Sequence, residues 1–321
     1  MTKRELVERT LSGEAFDITP SCFSLHFPEE MKRGENAVKA HLDFFSDTDT
    51  DIQKIMNENL YPSNPGLFKP SDYERIKSYK KSEGFIKDQV ELVKRVLDKA
   101  DPDGYPICTI QGVIASLGHT MRPQYQALSD LRRMQVDFYR EDKKSVEDAV
   151  KRITESLINL VEAVIDAGCK GIFYAVLGGE RSLWTKEEFE NIQAPFDKAV
   201  MKCAKDKGAS VILHLCKKDL AIDRFESYGE FSDAVNWGIY ENNISLEEGM
   251  KHFPGKVALG GLEHRSGIIM DGSLDDIKAE VHRLRKEMEG KPFILGADCT
   301  LATNVDRKRI KAAVDAARDI I

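Results

Sequence analysis

The chain has 321 residues, 41% of them apolar and 31% charged, enough hydrophobic material for a large core without disulfides. Its formal net charge of −7, with lysines and arginines interspersed among acids as in KKSVEDAVKR, excludes the clustered basic surface of a nucleic-acid binder. No apolar run is long enough to span a bilayer and the charged start MTKRELVERT is unlike a signal peptide, so a cytoplasmic protein with no membrane association is expected.

In chain order, CFSLHF (22–27) and PICTI (106–110) read as strands, and a weaker candidate lies between them in IMNENLYP (55–62), whose composition is poor for a strand. A helix is predicted from Ser145, an N-cap with Asp148 three residues on, through Val146, Val150, Ile153, Leu157, Val161 and Val164 to a stop at Gly168. The apolar run GIFYAVL (171–177) follows as a strand covered on both faces. Thr185 and Glu188 form a capping box for a helix toward Lys207 that Pro195 should kink or break. SVILHL (210–215), DAVNW (233–237), KVALG (256–260) and PFILG (292–296) complete the strands. Helices are capped by Ser245 with Glu248 and predicted between Asp275 and Glu289.

Alternating strands and helices, with no Gly/Ser- or Pro-rich linker, predict one domain over 1–321: an α/β fold, a (β/α)₈ barrel with an N-terminal helical extension. An open doubly wound sheet is the alternative, but LGGERS (177–182) and LGGLEH (259–264) are only glycine pairs and no G-x-G-x-x-G loop follows a strand.

The six cysteines are widely spaced and suit core thiols, ligands or nucleophiles better than a disulfide framework. His214 and Cys216 stand two apart at the end of a strand and so face the same side. Cys299, in ILGADCTLA (294–302), follows another strand end. In a barrel, carboxyl ends share one rim, and one imidazole with two thiolates is the ligand set of a catalytic zinc with an open fourth position. Free cysteines are also commonly buried and lone histidines are often satisfied core groups, so the residues alone leave both readings open.

The H-x-C segment, the ILGADC strand, GGLEHR (260–265) and the closing helix RIKAAVDAARDI together resemble the uroporphyrinogen decarboxylase superfamily, most firmly from about Ala149 onward. That resemblance implies a (β/α)₈ barrel and one of two chemistries: decarboxylation of porphyrinogen acetates, or zinc-dependent methyl transfer from a methylcorrinoid carried by a partner protein. The H-x-C…C triplet is similar to the methyltransferase branch, which makes His214, Cys216 and Cys299 the implied zinc ligands and a small thiol, or a pterin, the acceptor. A homodimer is also implied. The decarboxylase branch carries an R-Q-A-G-R-Y segment after the first strand, where this chain reads CFSLHFPEEMKRG (22–34), and its aspartate near the second strand would fall in MNENL (56–60), with Glu58 nearest. A lyase acting on a tetrapyrrole or another acid is therefore the second reading, and a non-catalytic corrinoid or porphyrin carrier the third. Lys217 stands where comparable methyltransferases have glycine, and GADCTLAT lacks a second glycine often found beside the final cysteine.

Other residues expected at the mouth are Glu180, as a fourth ligand or general base, and His26 and His264. Arg265 could hold an anionic group of the acceptor, and Asn236 and Trp237 could line the cavity for a flat ligand. A surface loop for Glu180, a loop salt bridge for Arg265 and a core position for Trp237 are the structural alternatives.

Overall fold

The computed structural model describes residues 1–122 and 128–319. Its eight strands are β1 (Ser21–Cys22), β2 (Ile52–Ile55), β3 (Tyr105–Gln111), β4 (Gly171–Val176), β5 (Ser210–Leu215), β6 (Ala234–Trp237), β7 (Val257–Leu262) and β8 (Phe293–Ala297). All pair in parallel, in the order β1-β8-β7-β6-β5-β4-β3-β2. The two ends of that order are consecutive in the chain, so the sheet curls into a barrel. Side chains bridge the remaining seam: Asp51 Oδ2, just before β2, accepts from Ser21 N at 2.8 Å and Ser21 Oγ at 2.6 Å. This is the (β/α)₈ barrel that the alternation of elements predicts.

Strand parity divides the core in two. Ile52, Ile107, Phe173, Ile212, Val257, Leu259 and Ile294 point inward and meet Val7 of the N-terminal helix Lys3–Leu11. That helix sits at the amino end of the barrel, where Arg4 donates to the carbonyls of Pro102 and Gly104. Alternate residues such as Ile55, Ile110, Tyr174, Leu213, Val235 and Leu295 point outward and join the helical layer. With one end closed by the helix, the carboxyl end remains as the mouth. No helix among the described residues is long and apolar enough to cross a membrane.

Several local expectations hold and others shift. The Thr185–Glu188 box opens the helix Lys186–Ile192, which breaks at Gln193; a new helix, Ala194–Asp206, then carries Pro195 in its first turn, where a missing N–H is harmless. The long helix Lys143–Asp166 begins three residues earlier than predicted, because the Asp142 carboxylate, not Ser145, caps it by accepting from Ser145 N at 3.1 Å. Gly168 follows with φ +118, a conformation that side chains resist. The candidate strand at 55–62 is instead β2 at Ile52–Ile55, and the run at 22–27 pairs in a ladder only at Ser21–Cys22, with Leu25 bridging to Leu301.

Candidate metal centre

His214 is the fifth residue of β5, Cys216 lies one residue beyond that strand, and Cys299 lies two beyond β8. The barrel brings one ligand atom from each within 4.8 Å of the others, and among the described residues they form the only group of three such side chains. The Cys216 and Cys299 sulfurs are 4.0 Å apart. Two sulfurs bound tetrahedrally at about 2.3 Å from one zinc stand roughly 3.8 Å apart, whereas a disulfide needs about 2.05 Å. The spacing thus suits shared ligation and not a covalent link.

The imidazole is aimed by its neighbour. His214 Nδ1 lies 2.5 Å from Asn236 Oδ1, and the Asn236 amide nitrogen donates to Leu259 O at 2.9 Å and Ala297 O at 3.2 Å. With both protons of that amide committed to carbonyls, Oδ1 must accept, so the His214 proton sits on Nδ1 and Nε2 keeps its lone pair for a metal. Phe173, one layer deeper, backs the ring at 5.3 Å between centroids.

The two thiols are shifted in opposite directions. A hydrogen bond from Cys216 holds the Cys299 thiol well below its ordinary value, against the effect of burial, with His214 and His264 adding to the shift. The same contact, reinforced by burial, pushes Cys216 up. Of the two sulfurs, that of Cys299 is thereby the more readily ionised. The loop after Cys216 is strained: Lys217 has φ +87 and Asp219 φ +63, both in the region that favours glycine.

Other predicted residues fall in different places. Glu180 is buried, 5% exposed, and forms an ion pair with Arg132 of the helix Leu128–Glu141, so it belongs neither to an exposed loop nor to the group of three. His264 is buried close enough to Cys299 to act on it, and its Nε2 accepts from Arg265 Nε at 3.2 Å, while Arg265 is itself exposed. His26 is exposed on the rim, 2.6 Å from Glu58 Oε1. One expectation is corrected. Trp237 does not line the cavity, because it follows the inward Asn236 and so faces outward, fully buried, with its indole N–H on Ile244 O at 3.0 Å. Asn236 has no polar atom free for a ligand, since all are engaged in orienting His214.

Sequence reasoning missed Arg132 and Lys54. Arg132 lies in an ordinary amphipathic helix, and its pairing with Glu180 is purely tertiary. Lys54 is an inward-facing cation on β2, 5% exposed, whose polarity helped to hide that strand. A cavity of about 660 Å³ lies at the other end of the barrel, between the 14–20 segment and Phe293, and is lined by none of the three converging side chains.

No curated protein matches the chain in sequence. Among solved structures, a methyltransferase from Methanosarcina mazei superposes with a TM-score of 0.75 at 17% identity, covering 99% of this chain and 98% of that one. A B12-independent methionine synthase from Shewanella sp. W3-18-1 gives 0.57 at 11% identity over 94% and 96% of the two chains. A putative vitamin-B12 independent methionine synthase from Listeria monocytogenes gives 0.53 at 14% identity over 87% and 84%. At such identities the likeness is one of fold. In sequence, residues 52–320 match the family model of uroporphyrinogen decarboxylase (URO-D), a span that takes in seven of the eight strands and all three converging side chains. The chain belongs to the uroporphyrinogen decarboxylase family.

Proposed function

We propose that this chain is a zinc-dependent methyltransferase that moves a methyl group between a corrinoid carried on a separate protein and a small thiol. The observation that carries the reading is the convergence of His214, Cys216 and Cys299 at the barrel mouth, with sulfurs 4.0 Å apart. The full-length likeness to a methyltransferase fold supports it.

His214 and the two cysteines would hold three positions of a tetrahedral zinc and leave the fourth to the acceptor. When bound, zinc would keep the acceptor thiol ionised at neutral pH, where a free thiol of pKa about 8.5 is mostly protonated. Asn236 fixes the imidazole tautomer, and the Phe173 ring limits its tilt. The acceptor sulfur would supply the electron pair of the new carbon–sulfur bond, and the pair of the broken carbon–cobalt bond would stay with the corrinoid.

The test is to mix the protein with methylcob(III)alamin and coenzyme M or homocysteine and follow the cobalamin spectrum. Demethylation is expected with the native chain and not with Cys216→Ala. No demethylation of methylcob(III)alamin by any thiol, or conversion of uroporphyrinogen to coproporphyrinogen, would contradict the reading.

A further inference from the structure

The barrel interior holds a cation that takes part in no ion pair among the described residues. Lys54 points inward from β2, and its Nζ lies 3.3 Å from the centre of the Phe173 ring, the same ring that backs His214. The groups acting on its charge are the sulfurs of Cys22, Cys299 and Cys216, with no carboxylate among them. Burial lowers its pKa to about 8, which still leaves it mostly charged at neutral pH. A contact with an aromatic face recovers only part of the lost hydration of an ammonium, so an apolar side chain would serve the barrel's stability better. Locally unfavourable residues of this kind concentrate where function needs them.

A charge count shows what it could serve. Two thiolates and a neutral imidazole cancel the charge of a divalent zinc, and an acceptor that enters as a thiolate leaves the centre with one net negative charge. We propose that Lys54 is a positioning residue whose ammonium supplies the counter-charge for that bound thiolate, so that the open position prefers anionic ligands to neutral ones. Methylation turns the acceptor into a neutral thioether and removes the preference, which favours release of the product. The inference deepens the proposed function and rests on it.

The experiment loads the native protein, Lys54→Met and Lys54→Gln with cobalt(II) and titrates each with 2-mercaptoethanol, which binds as a thiolate, and with imidazole, which binds neutral, reading the cobalt absorption bands. For opposite unit charges in a partly buried site of effective dielectric near 20, thiol binding should weaken about 10- to 100-fold in both variants, with imidazole within about 3-fold and metal content unchanged. Unchanged thiol affinity, or equal weakening of both ligands, overturns the role of Lys54 while leaving the metal site intact. A native protein that takes up no cobalt or no thiol overturns the methyltransferase reading and this inference with it. If neither variant folds, Lys54 is a structural element and the inference fails.

Discussion

The Asn236 carboxamide fixes the direction of the His214 ring: its oxygen lies 2.5 Å from Nδ1 while its nitrogen is tied to two strand carbonyls. An orienting partner of this kind typically contributes about 10- to 100-fold to metal affinity. Asn236→Ala should therefore weaken zinc binding by about that factor, measured by competition with a chromophoric chelator. Equal affinity in the variant would show that the ring needs no such support.

Lys217 adopts φ +87 directly after a predicted ligand, at the place where comparable methyltransferases have glycine. A left-handed conformation costs a residue with a side chain about 1–2 kcal/mol, and glycine returns part of that through the freedom of its unfolded chain. Lys217→Gly should stabilise the protein by roughly 0.5–1 kcal/mol in urea unfolding. Destabilisation would mean that the lysine side chain contributes contacts that outweigh the backbone strain.

His41 gives the protein a pH dependence unrelated to the metal. Its Nδ1 lies 2.7 Å from Ala37 O, and its Nε2 accepts the Met56 N–H at 2.9 Å, an arrangement that requires the neutral ring. Burial lowers its pKa from 6.5 to about 4. Between those values the unfolded chain binds more protons, so the contribution is complete above pH 6.5 and is lost as pH falls toward 4. Near pH 5 the loss is roughly 2 kcal/mol. Unfolding of the native chain and of His41→Gln at neutral pH and near pH 5 should show a shallower slope in the variant; parallel slopes would contradict the assignment.

How much was legible in the sequence depended on whether a signal was local. Seven strands announced themselves as apolar runs, whereas β2 did not, since Gln53 and Lys54 interrupt it and its inward lysine answers to the barrel interior rather than to strand propensity. The convergence of His214, Cys216 and Cys299 was readable because period-two spacing and strand ends are local properties. The same parity separates Asn236 from Trp237, and applying it to that pair places one inside and the other in the helical layer. The pairing of Glu180 with Arg132 and the role of Asn236 toward His214 are different in kind, because each joins segments far apart in the chain and no local pattern encodes it.

The metal content of the purified protein, measured by elemental analysis of the native chain, Cys216→Ala and Cys299→Ala, tests the proposed zinc site most directly. The geometry predicts about one zinc per chain in the native protein and its loss in both variants, with the fold retained by circular dichroism. A folded native protein that binds no zinc when it is supplied, or variants that hold the metal as tightly as the native chain, would contradict it.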